Sequence, residues 1–179
     1  SQQEADMDIK ATLNNLLIPY TSNYAGTLLP GIREYTVTPG EKTTTISGKG
    51  KAGLKQEENY YFFYLPVCYK GITGKSYAYY NTSRSKNLYL PASVNENYSY
   101  DIQLPENLTL CTPIQEKKID NPIGSFKITL TSEGSSLHIE LALQIKKQLI
   151  TPAEYPAFRS LITEWTDRTR KPILFKTVQ

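Results

Sequence analysis

Leu137-His-Ile-Glu-Leu-Ala-Leu-Gln-Ile145 runs through Lys146-Lys-Gln-Leu149 into Ile150-Thr-Pro-Ala-Glu-Tyr-Pro-Ala-Phe-Arg-Ser-Leu-Ile-Thr-Glu-Trp165, and the hydrophobic period changes from two to about 3.6 on the way. In the first part Leu137, Ile139, Leu141, Leu143 and Ile145 alternate with His138, Glu140, Ala142 and Gln144, which predicts a half-buried strand. In the second, Tyr155, Phe158, Leu161, Ile162 and Trp165 recur at spacings of three and four and share one helical face. Thr151 stands at the N-cap, Pro152 at the first helical position and Glu154 three residues after the cap, so Thr151 and Glu154 can each satisfy the other's backbone amide. Ile150 and Tyr155 are placed for a hydrophobic staple. Pro156 disturbs the opening turn, because it lacks an amide hydrogen. Arg168, Arg170 and Lys171 suit the negative end of the helix dipole, and Pro172 stops the helix.

Working outward, the period of two recurs. Tyr98, Tyr100, Ile102 and Leu104 alternate with polar residues, as do Phe126, Ile128 and Leu130. Met7, Ile9, Ala11 and Leu13 alternate as well, and the strand reading is preferred there over a helix containing Leu16 and Leu17. Tyr60-Tyr-Phe-Phe-Tyr-Leu65 is apolar or aromatic on both faces, which predicts a central strand covered on both sides. Pro39-Gly40, Gly71 to Gly74, Asn121-Pro122 and Glu133-Gly134 are turn signals. Together these features predict a mainly β protein, an antiparallel β-sandwich with one C-terminal helix at about 151–168 followed by a short strand. Residues 1–40 read as a strand-like lead-in that joins a preceding domain or the same sandwich. Residues 41–179 read as the sandwich domain itself.

With 179 residues, 39% hydrophobic and 21% charged, the chain can bury a full core as one domain. No apolar run approaches the ~20 residues of a membrane-spanning helix. Ser1 does not open a signal peptide, so any export signal is expected to have been removed. The net charge of +3 is spread along the chain and forms no basic stripe interleaved with aromatics, which argues against nucleic-acid binding. Gly48-Lys-Gly-Lys-Ala-Gly53 lacks the spacing and the Lys-Ser/Thr ending of a phosphate loop and reads as a hairpin turn.

Three further segments carry a family resemblance. Tyr60-Tyr-Phe-Phe-Tyr-Leu-Pro66, Thr82-Ser-Arg84 leading into Leu88-Tyr-Leu-Pro91, and Glu96-Asn-Tyr-Ser-Tyr-Asp-Ile-Gln-Leu-Pro105 follow in that order. With Ile150-Thr-Pro-Ala-Glu-Tyr-Pro-Ala-Phe-Arg159 and Ile173-Leu-Phe-Lys176, they resemble the C-terminal β-rich domain of large secreted bacterial proteins. In those proteins a β-domain and a transglutaminase-like core of papain-type cysteine chemistry come first. The resemblance runs from about Tyr60 to the C-terminus, and residues 7–40 are similar to the lead-in that follows the core. It implies a Bacteroidetes-type source, a periplasmic or cell-surface location, and a neighbouring transglutaminase-like core in the same polypeptide as partner. The catalytic residues of that core have no positions in this sequence.

Cysteine catalysis within the chain itself would need a thiolate beside a histidine, and Cys111, the single His138 and Asp167 stand in the right order. Cys111 lies in Leu108-Thr-Leu-Cys-Thr-Pro113, however, and does not open a helix whose dipole would lower its pKa. His138 falls on the polar face of its strand and reads as a solvated residue. One histidine and two separated cysteines make no zinc site, and no cofactor is expected. Cys68 and Cys111 are either a disulfide or two buried thiols, and the sequence leaves both open. Glu57, Glu58, Glu96 and Asp101 have no spacing that distinguishes a glycosidase pair from solvated turn residues.

Fourteen tyrosines accompany one tryptophan. Tyr77, Tyr79 and Tyr80, with Arg84 nearby, are the candidate binding residues, since an aromatic face with a polar tip stacks on sugars or fills protein interfaces. Tyrosine is equally a good strand residue with its hydroxyl at the sheet margin. The expected function is therefore that of a non-catalytic accessory or interaction domain, which positions the core or its substrate. The alternative is a free-standing carbohydrate- or peptide-binding β-sandwich. The first should expose an apolar or aromatic patch for its neighbour, and the second should line a groove with parallel aromatic planes.

Overall fold

The computed structural model describes residues 3–15, 29, 31–68, 71–72 and 83–178. Among them the elements are, in chain order, β1 (Glu4–Asn14), β2 (Ile32–Pro39), β3 (Thr43–Gly53), β4 (Lys55–Glu57), β5 (Tyr60–Phe63), β6 (Leu88–Tyr89) and β7 (Val94–Gln103). There follow β8 (Leu108–Leu110), β9 (Gln115–Asn121), β10 (Gly124–Glu133), β11 (Ser136–Ile145), β12 (Leu149–Ile150), α1 (Tyr155–Arg170) and β13 (Ile173–Thr177). The fold is mainly β and antiparallel, with one C-terminal helix and a short last strand, as the alternation predicts.

Seven strands form the main sheet in the order β2-β3-β1-β7-β11-β10-β9. Register shows why one face of it is core. Ile9 and Ile139 flank Tyr100, Ala11 and Leu141 flank Tyr98, and Met7 and Leu137 flank Ile102, all of them buried. On β10, Phe126, Ile128 and Leu130 continue these rows opposite Leu143, Leu141 and Ile139. A slip of one residue in any of these strands would turn its apolar set into water, so the register is strongly fixed. The opposite face carries Asp8, Lys10, Ser99, Asp101, His138 and Glu140. One hydrophobic cluster joins the buried face to α1 and to a second sheet of order β4-β5-β13-β8.

α1 lies on β10 and β11 with Tyr155, Phe158, Leu161, Ile162 and Trp165 buried, the face read from sequence. The reciprocal Thr151–Glu154 pair forms, but ahead of the helix: the N-cap is Glu154 and not Thr151, and it makes no side-chain cap bond. The Thr151 amide donates to Glu154 Oε1 (3.2 Å) and the Glu154 amide to Thr151 Oγ1 (3.3 Å). This pair closes a turn over 151–154, and the regular helix starts only at Tyr155, with Pro156 in its first turn where no amide is needed. At the other end Arg168 and Arg170 stand in the last turn before Pro172.

Two further expectations change. Gly48–Gly53 is not a hairpin turn but the second half of β3, paired with β1 throughout and with β2 over Gly48–Gly50. The glycines are there for close approach. A Cβ on Gly48 would stand 2.3 Å from Ile32 Cγ2, and one on Gly50 would stand 2.2 Å from the Gly31 carbonyl oxygen, where β2 bulges between Ile32 and Glu34. The actual hairpin is at Pro39-Gly40, where the Gly40 amide bonds the Thr43 carbonyl (2.8 Å). The second change concerns β5. It is an inner strand of the four-stranded sheet, but only one of its faces is covered.

Candidate functional site

β5 alternates so that Phe63 and, beyond its end, Leu65 point into the core, while Tyr60, Phe62 and Tyr64 point out. Phe63 is stacked on Phe175 of β13, 5.8 Å between centroids. Outside, Tyr60 is 45% and Tyr64 47% exposed, and Phe62 is half-buried between them. The cross-strand partners of this outer row are Lys55 and Glu57 on β4 and Leu174 and Lys176 on β13. The sheet thus presents an aromatic row flanked by two lysines and a glutamate. Phe62 and Tyr64 meet edge to face, with centroids 6.3 Å apart and planes at 89°. Such a pair offers no flat platform to a run of sugar rings, but it suits insertion into a protein interface, where buried aromatics act as anchors.

Tyr77, Tyr79 and Tyr80 lie outside the described residues. Arg84 is half-buried on the stretch before β6. Cys111, His138 and Asp167 are not brought together. Cys111 follows β8, with its amide bonded to the Leu174 carbonyl (2.8 Å). His138 stands on the outer face of the main sheet, whereas α1, which carries the exposed Asp167, covers the inner face. Cys68 is buried and Cys111, at the end of β8, half-buried, with no bond between the two.

His138 Nδ1 is 2.8 Å from Asp101 Oδ1, and its Nε2 is 3.5 Å from Glu140 Oε1. Asp101, in turn, faces Asp8 directly across β1 and β7. The hydrogen bond to Asp101 holds the His138 ring above the usual histidine range, with Glu140 adding to it. A raised folded-state value stabilises the protein below the unfolded value of about 6.5, and the contribution is lost as pH rises through the folded value. Asp101→Asn is accordingly expected to move the ring's NMR titration toward the ordinary range. The stability difference from the parent should be present in mild acid and vanish in alkali. Identical ring titrations in the two proteins would exclude Asp101 as the cause.

The carboxylates separate by face. Asp101 is outside and Glu96 inside the same strand, so they cannot flank one glycosidic bond, and Glu57-Glu58 form the tip of the β4–β5 hairpin. Glu96 is no solvated turn residue. It is fully buried and accepts hydrogen bonds from the Ile72 amide (2.6 Å) and the Tyr98 hydroxyl (2.9 Å). The signal was present in the sequence, because extending the Tyr98, Tyr100, Ile102 series back by two positions places Glu96 on the core face.

Residues 59–175 match the family model described as "Domain of Unknown Function with solved-structure structure (DUF3858)". The chain belongs to this family. The DUF3858 residues run from the start of β5 into β13, and β1 to β3, which precede them, complete the main sheet through the β1–β7 pairing. A crystal structure of a protein described as a "putative protease" from Parabacteroides distasonis is similar over 67% of this chain, with 31% identity and a TM-score of 0.58. The match covers 24% of that protein, so the chain spans about a quarter of its length. No curated protein matches the chain.

Proposed function

We propose that this DUF3858 domain is a non-catalytic accessory domain of a larger secreted protein, docked through the Tyr60, Phe62 and Tyr64 face against a transglutaminase-like core of the same polypeptide. The observation that carries the reading is a mismatch between sequence and surroundings. β5 is aromatic on both faces, yet only the inner face is covered. An aromatic row with charged neighbours is the composition of an interface centre and its rim. Two further points support the proposal. The Parabacteroides protein is about four times as long as the region it shares with this chain, and it is described as a "putative protease". The sequence resemblance to domains that follow a transglutaminase-like core points to the same arrangement, and to the periplasm or cell surface. The domain would position that core or its substrate.

Hydroxyl-radical footprinting tests the docking. Tyr60, Tyr64 and Leu174 should be modified several-fold more slowly in the protein encoded by the full natural reading frame than in this chain alone. The Tyr60→Ser/Tyr64→Ser double variant should change the stability of the isolated chain by no more than about 0.5 kcal/mol per site, as exposed positions do. In the longer protein it should restore fast modification of Leu174. Equal labelling of all three residues in both contexts would overturn the docked arrangement. Protection of the same residues by soluble oligosaccharide in the isolated chain would favour the carbohydrate-binding alternative.

A further inference from the structure

Among the described residues four strands stand at the edges of the two larger sheets, β2 and β9 on the seven-stranded one and β4 and β8 on the other. An open edge invites pairing with a further strand, and three of the four carry the usual defences. β2 has Arg33 and Glu34, a bulge between Ile32 and Glu34, and Pro39 at its end. β9 is Gln115-Glu-Lys-Lys-Ile-Asp-Asn121, and β4 is Lys55-Gln-Glu57. β8 is Leu108-Thr-Leu110, without charge, proline or bulge. Shortness alone is not its protection, since β4 is equally short and still charged.

The main chain of β8 shows which groups are open. The Cys111 amide donates to the Leu174 carbonyl (2.8 Å) and the Val178 amide to the Asn107 carbonyl (2.8 Å), so Asn107, Thr109 and Cys111 turn their peptide groups toward β13. Leu108 and Leu110 turn theirs the other way. The Leu108 amide is taken up by the Pro105 carbonyl (3.1 Å). The Leu110 amide and carbonyl and the Leu108 carbonyl meet no partner among the described residues. The side chains agree with this. Leu108 is buried and Thr109 exposed, whereas Leu110, which packs against the core, stays half-buried because no described strand lies beyond β8 to close that flank.

We propose that β8 receives one strand of the neighbouring core, an apolar–polar–apolar segment whose main chain bonds the outward amide and carbonyl of Leu110. The inference rests on the docked arrangement proposed above and adds a second place at which the core engages. Position favours one partner for both places. Tyr60, Lys176 and Thr109 stand in a single cross-strand row, so the aromatic face and the β8 edge are two strand spacings, roughly 10 Å, apart. In the added strand, apolar side chains beside Leu108 and Leu110 close the open flank of the core. A polar one stands beside Thr109, where Lys176 favours an acidic neighbour. So short a pairing is weak between separate molecules, but within one polypeptide the high effective concentration sustains it.

Amide hydrogen exchange at single-residue resolution tests this, in the present chain and in the protein encoded by the full natural reading frame. In this chain Leu110 should exchange about tenfold or more faster than Thr109 and Cys111, which are bonded to β13. In the longer protein Leu110 should slow by about a hundredfold, and a segment outside these 179 residues should gain protection with it. Leu110→Pro removes the amide that points outward, where an edge strand tolerates proline, and leaves the bonds to β13 in place. It should strip that outside segment of its protection, while Leu110→Val leaves it protected. The same effect from both variants, or equal exchange of Leu110 in the two proteins, overturns the added strand. Should Leu110→Pro fail to fold, the comparison of the two parent proteins decides. Unprotected Leu110 together with slowed labelling of Tyr60 and Tyr64 rejects the strand and leaves the docking standing, whereas unprotected Leu110 with equal labelling rejects both.

Discussion

Trp165→Ala is expected to destabilise the domain by ~3–5 kcal/mol, the range for truncating a fully buried large aromatic. Trp165 has no exposed surface and stands over Tyr98 in the middle of the main sheet, with Phe158, Leu161 and Ile162 beside it on the helix. The side chain links α1 to β7, not only to the β10–β11 hairpin beneath the helix, so its loss opens a cavity between two layers that cannot easily collapse. For a domain of this size, each kcal/mol shifts the melting midpoint by roughly 2–4 °C, so the drop should be read without difficulty by calorimetry or circular dichroism. Trp165→Phe should retain much of the stability, because it leaves a ring in place. As the sole tryptophan, Trp165 should emit at short wavelength when native and shift to the red on unfolding. A solvated emission in the native protein with an unchanged midpoint for Trp165→Ala would mean that the helix does not close the fold.

That contact was legible in the sequence because two independent periodicities point to it. The helical stripe needed an apolar surface of its own length, and the alternating strands β7, β10 and β11 supplied one. Turn chemistry was equally readable at Asn121, whose Oδ1 accepts the Ile123 (2.9 Å) and Gly124 (3.2 Å) amides, and at Gly134, which has a φ of 59°. Other parts were not readable because the same residues serve two physical ends. Glycine permits a turn and equally permits two backbones to come close, and Gly48 and Gly50 do the second. Aromatic residues on both faces of a strand call for cover on both sides, and Tyr60, Phe62 and Tyr64 carry that pattern without the cover. Glu96 was assigned to the surface by its charge, although its position in the alternation of β7 places it inside. Sequence period proved a better guide there than residue type.

The aromatic row itself depends on what lies behind it, so Phe175→Ala is the second large expected effect. Phe175 is fully buried, is stacked on Phe63 at 5.8 Å and belongs to β13, which bonds both β5 and β8 and so stands in the interior of the four-stranded sheet. Removing the ring should cost ~3–5 kcal/mol by the same cavity argument. The two truncations should differ in where the damage appears. Trp165→Ala loosens α1 from the main sheet, whereas Phe175→Ala withdraws the support on which β5 rests, and with it the outward pose of Phe62 and Tyr64. Amide exchange should therefore accelerate first in β5 and β13 for Phe175→Ala, with β10 and β11 retaining protection until global unfolding. If the proposed docking in a longer protein holds, this variant should weaken it although Phe175 never reaches the surface, and Phe175→Leu should restore part of both stability and docking. Uniform loss of protection through both sheets would show instead that the two layers unfold as one unit, and that the aromatic face has no separate foundation in β13.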